Sequence, residues 1–142
     1  MVSFSQLPAD LAASRLPNFV FILPNAEDDG HDCPGGLPVC SDAQVLTTVD
    51  NWLRNNIGPL INSPNFGNSL LVITWDESVS TDFTNGGGHV ATVLAGPHVR
   101  PGFHSPMLFQ HQSLLRLVLD SLKVNDLPGA AAGAPSMGGF LQ

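Results

Sequence analysis

Two pairs of side chains in this sequence have the types and neighbours that chemistry requires. The first is Asp76-Glu77, where the apolar run "LLVITW" ends abruptly in adjacent carboxylates. Neighbouring carboxylates repel, so a pair held together at a strand end is costly unless a cation or positive side chains lie close by. The nearest basic residues in sequence are Arg54 and Arg100, which makes a hard divalent cation the natural counter-charge. The bland alternative is that the two carboxylates point apart into water. The second pair is His31-Asp32, an imidazole beside a carboxylate, suited to a transition-metal site or to a general acid held by its neighbour. Here too the alternative is plain: Glu27, Asp28 and Asp29 lie just upstream, and the whole stretch reads equally well as a solvated acidic loop. His89, in "NGGGHV", is a third candidate, because a glycine run lets backbone approach a ligand closely. His98, His104 and His111 stand in no partner pattern and read as structural or surface residues.

The elements that must position these groups follow from periodicity and breakers. "NFVFIL", Asn18 to Leu23, lies between two prolines and has the length and residue types of a short buried strand. The long loop "NAEDDGHDCPGGLPVC" follows. Ser41 and Gln44 then have capping-box spacing, and Val45, Val49, Trp52, Leu53 and Ile57 recur at helical intervals until Gly58-Pro59. "NSLLVITW" predicts a second strand, apolar on both faces, and "VATVLA" a third. "HQSLLRLVLDSL" predicts a last helix, and the aperiodic tail "PGAAAGAPSMGGFLQ" is expected to lie over the surface. This order is an α/β pattern. If its first two strands are parallel, both acidic clusters leave strand ends on the same rim, where open α/β sheets bind ligands.

Composition narrows the function classes. The chain has 142 residues, enough for a single domain spanning 1–142, and is 43% hydrophobic with 12% charged residues, well below the roughly 25% of an average soluble domain. Twelve acidic residues stand against five scattered basic ones, a net charge of −7 that argues against a nucleic-acid partner. No apolar stretch approaches the roughly 20 residues of a membrane span, and "MVSFSQLPADLAAS" lacks the features of a signal peptide. The two cysteines, Cys33 and Cys40, share a Pro/Gly-rich loop; a disulfide suits an exported protein and a reduced pair a cytosolic one, with the disulfide somewhat favoured. No G-x-S-x-G elbow, P-loop or dinucleotide fingerprint is present.

Taken in order, "LPNFVFILPN", "HDCP", "DNWLRNNIGPLINSPNF", "LLVITWDES", "GGGHVATVLAGPHVRPG" and "HQSLLRLVLDSL" resemble the phosphoesterase family, from about Leu16 to Phe140. That family holds bacterial acid phosphatases and phosphocholine-type phospholipases C within the alkaline phosphatase superfamily. The resemblance implies a three-layer, mostly parallel sheet flanked by helices, and metal-dependent hydrolysis of phosphate esters. It implies metal ligation by Asp76 and Glu77, with the ion being Ca, Mg, Mn, Zn or Fe. It places His31, Asp32 and His89 at the metal or phosphoryl site as catalytic candidates. It further implies an extracellular or periplasmic parent protein.

The family's N-terminal Glu-Asn motif and its nucleophile-bearing segment have no counterpart in this sequence. The expectation is therefore a C-terminal portion, weak or inactive by itself, whose uncovered sheet edge would favour a homodimer. The alternative is a non-catalytic α/β module that binds a divalent cation or a phosphorylated ligand.

Overall fold

The computed structural model describes all residues, Met1 to Gln142. The chain divides into two compact units, Met1–Gly67 and Asn68–Gln142.

The first unit is built on helices. α1 (Leu7–Ala12) is short and opens with a proline in its first turn. α2 (Asp42–Asn56) begins with the expected capping box: Gln44 N–H donates to Ser41 Oγ and Ser41 N–H to Gln44 Oε1. Two amides with no partner inside the helix are thereby satisfied. Its apolar stripe buries Val49, and Ile57 is buried just past its end. Gly58-Pro59 breaks the helix as anticipated, and α3 (Gly58–Ile61) restarts there with Pro59 in its first turn, where a missing N–H costs nothing. Phe4 packs on Trp52 with ring centroids 5.3 Å apart.

The segment expected as the first strand, Asn18–Leu23, forms no paired strand. Its backbone makes no hydrogen bond, and Phe19, Val20, Phe21 and Leu23 are all exposed. Residue types suited to a strand do not suffice: extended backbone is stable only when a neighbour supplies its ladder.

The second unit contains the sheet, which has two antiparallel strands. β1 (Leu71–Thr74) pairs with β2 (Thr92–Ala95) in the register Leu71↔Ala95 to Thr74↔Thr92. The structure is thus α/β, and no three-layer parallel sheet is formed in it. The hydroxyls of Thr74 and Thr92 lie 2.9 Å apart at the end of the register, closing the ladder where the acidic loop begins. α4 (His111–Ser121) buries Ser113 and Leu117.

Expected on the surface, the C-terminal tail instead supplies core. Ala131, Ala134 and Met137 are buried, and Arg116 Nη1 of α4 donates to the Ala134 carbonyl at 2.7 Å. Small side chains let this irregular backbone lie close to the helix, an option that hydrophobic periodicity does not register. The last residues bridge Val99 to Leu141, with Phe140 ringed edge-on by Phe103 and Phe109.

Candidate functional site

In the first unit, His31 and Asp32 are brought together as expected. His31 Nδ1 lies 2.9 Å from Asp32 Oδ1, and both side chains are exposed. Because a carboxylate only accepts, the ring proton sits on Nδ1, and in the neutral ring the lone pair lies on Nε2. The loop that presents them is tied at several points. Asn25 Oδ1 accepts from the amides of Glu27 and Asp28, and Asp29 Oδ1 accepts from the amide of His31. The Glu27 carboxylate takes the amides of Gly35 and Gly36 at 3.0 and 3.2 Å, one on each oxygen. Cys33 and Cys40 form a disulfide, seven positions apart, which ends one residue before the Ser41 cap. So the acidic side chains that read as a solvated cluster are largely the internal ties of the His31-Asp32 loop.

In the second unit, Asp76 and Glu77 follow β1 one residue past its end, after Trp75, and are exposed, and neither side chain makes a hydrogen bond or ion pair. Their backbone, by contrast, is fixed. The Asp76 carbonyl accepts from His111 Nε2 at 2.7 Å, and Ser78 N–H donates to the Gly87 carbonyl. The loop from 75 to 91 is organised by Asp82, which stands in no motif that would single it out. Asp82 Oδ1 accepts the Thr84 amide and Oδ2 the His89 amide, each at 3.0 Å. The Thr84 amide, then its hydroxyl, then the His89 amide hold the Asp82 carboxyl below its ordinary range. Gly88 is needed in the same turn. Its φ is +76°, and a Cβ there would come within 2.5 Å of Ser78 Cβ and 2.7 Å of the Asp82 carbonyl. The expectation that "GGG" allows a close backbone approach is met at this one position, and the approach is to the loop's own far arm. His89 enters the site region through its amide, bonded to Asp82.

The donor chemistry at Asp76-Glu77, two oxygen-bearing side chains with no partner, fits part of a hard-cation ligand set. Nowhere do three or more His, Cys, Asp or Glu side chains gather to hold a metal ion. Two carboxylates fall short of the six to eight oxygen ligands that calcium takes and the six of magnesium. No helix is long and apolar enough to cross a membrane.

The family model "Phosphoesterase family" matches residues 1–125. A phosphatidylinositol-3-phosphatase of Mycobacterium tuberculosis is 32% identical over 136 residues, 94% of this chain and 39% of that protein. Acid phosphatases of Aspergillus fumigatus and Aspergillus niger are 29% and 28% identical, each over 96% of this chain and 26% and 28% of their own length. The chain therefore spans between about a quarter and two fifths of these relatives. No solved structure gives a significant match. With both chemistry-bearing pairs, the capped α2 and the β1 strand end all inside the matched residues, the chain belongs to the phosphoesterase family.

Proposed function

We propose that this chain supplies the C-terminal half-site of a metal-dependent phosphate-ester hydrolase of the acid phosphatase or phospholipase C-like kind. The observation that carries the reading is the Asp76-Glu77 pair. Two adjacent carboxylates without partners are displayed on a pinned backbone at a strand end, within a chain that the family model matches. In this reading Asp76 and Glu77 hold a divalent ion, which would neutralise charge on the phosphoryl oxygens. His31, oriented by Asp32 through Nδ1, moves a proton at Nε2 toward or away from a substrate oxygen. His89 lines the same chemistry from the glycine turn. The substrate class is a phosphate ester, as the names of the relatives suggest, with the other ligands and the nucleophile provided by a longer parent chain.

The same reading treats residues 1–142 as part of one catalytic domain whose parent sheet is three-layered and mostly parallel. In that setting Asn18–Leu23 gains the partner it lacks, and without it the exposed apolar edge favours a homodimer. The Cys33–Cys40 disulfide supports an extracellular or periplasmic location, since such bonds persist in oxidising compartments.

The test is hydrolysis of a simple aryl phosphate by the purified chain, with divalent metals, with chelator and with Asp76→Ala. Any turnover is expected to be slow, to need metal, and to fall at least 100-fold in Asp76→Ala, since even residues outside the ligand shell cost about 10–100-fold. Metal-dependent turnover unchanged in Asp76→Ala would refute the assignment. If turnover is below detection, Mn2+ line broadening decides: it should fall first on the Asp76 and Glu77 resonances, and broadening elsewhere would place the ion away from this pair.

A further inference from the structure

The N-cap and first residue of α4 reach back to both arms of the loop that carries Asp76, Glu77 and His89. Gln110 occupies the N-cap but does not cap its own helix; its Nε2 donates instead to the Asn85 carbonyl at 2.9 Å. His111, one residue on, places Nε2 at 2.7 Å from the carbonyl oxygen of Asp76, thirty-five positions away. A carbonyl oxygen only accepts, so the proton of this contact belongs to Nε2. In the neutral ring that fixes the tautomer, with Nδ1 bare. In the charged ring Nε2 still carries its proton, so the contact survives in both states.

The oxygen concerned is a particular one. It belongs to the peptide that joins Asp76 to Glu77, and a peptide unit is planar. Holding its oxygen restrains rotation of this plane between its two Cα atoms, and so limits ψ of Asp76 and φ of Glu77, the dihedrals that orient the flanking Cα–Cβ bonds. Neither carboxylate is held by a partner of its own. The ring of His111 is thus a contact on the pair's own backbone, able to bear on how the two carboxylates are presented.

We propose that His111 is a positioning residue for the Asp76-Glu77 pair: its Nε2–H locks the intervening peptide and presents both carboxylates to one ion. This rests on the reading of that pair as cation ligands. It assigns work to a histidine that, as the first residue of a helix, carried no signal in the sequence.

The test uses three forms of the isotope-labelled chain: wild type, His111→Gln and His111→Leu. Gln keeps an N–H donor at about the reach of Nε2, whereas Leu keeps bulk and removes the donor. Long-range proton–nitrogen spectra above the histidine titration range should show Nε2 protonated and Nδ1 bare in the wild type; the opposite tautomer would overturn the contact. In His111→Leu the Asp76 carbonyl carbon resonance should move upfield and the Glu77 amide become more mobile, with His111→Gln restoring both. Mn2+ added alone should broaden the Glu77 and Ser78 amides, and the half-point should rise on the order of tenfold in His111→Leu and return to within about twofold in His111→Gln. Thermal melts of the three forms separate this from loss of fold. Equal half-points and equal carbonyl shifts in all three would overturn the proposal. Broadening absent from the wild type would instead sink the cation-ligand reading, while the tautomer and the carbonyl shift would still decide whether His111 holds the turn.

Discussion

At the scale of single residues, Asp82 shows how a carboxylate can serve a site without facing a substrate. Its two oxygens accept the amides of Thr84 and His89, and these donors favour the ionised form. A depressed folded-state pKa means that the stabilisation is fully present above the unfolded-state value and is lost as pH falls through the folded one. The protection of the Thr84 and His89 amides, their exchange measured against the intrinsic rate at the same pH, should therefore be constant above about pH 4 and fall below it. Asp82→Asn should remove one of the two bonds and leave that amide with low protection at every pH. An unchanged acid-side profile in the variant would show that another group holds the turn. The His111 contact behaves differently, because its donor proton is present in both ring states, so the two pins of this loop should part company only below about pH 4.

At the scale of elements, the stretch from Asn25 to Ser41 is a loop that orders itself by side-chain bonds rather than by a ladder. The Glu27 clamp on Gly35 and Gly36, the disulfide and the Ser41 capping box follow one another and tie His31-Asp32 to the start of α2. Closing a loop of this size by a disulfide stabilises by about 2.5 kcal/mol in the chain-entropy account. The double substitution Cys33→Ser, Cys40→Ser should accordingly lower the unfolding free energy by about 2–3 kcal/mol in a urea melt. Glu27→Gln, which keeps one acceptor, should cost about 1 kcal/mol. If neither changed the melt while both loosened the His31 and Asp32 resonances, the loop would be an independent flap rather than part of the unit's cooperative structure.

For the molecule as a whole, the telling feature is how little apolar surface is used. In the first unit only Val49 and Ile57 are fully buried, while Phe19, Phe21 and Leu23 stand 52%, 77% and 72% exposed on backbone without a ladder partner. Apolar extended segments with open hydrogen-bonding groups pair with other chains. The isolated chain should self-associate in sedimentation velocity at roughly 100 µM, the micromolar range in which unpaired edges aggregate. Phe21→Lys should shift it toward monomer, because a charge at such an edge opposes pairing. A wild-type chain that stays monomeric throughout would mean that this segment is covered by something other than pairing.

What the sequence determined by itself was local. Ser41 and Gln44 announced their cap, Val49 and Ile57 their face, and Gly58-Pro59 its break, because each signal is written within a few residues of its effect. The strand end at Asp76-Glu77 and the pairing of His31 with Asp32 were legible for the same reason. The contacts at long range were not. Nothing near His111 points to an oxygen thirty-five residues away, nothing in the Ala/Gly tail reports its place against α4, and strand-like composition in "NFVFIL" could not supply a neighbour. Those features depend on which backbone groups find partners after the chain has turned back on itself, and only the tertiary structure decides that.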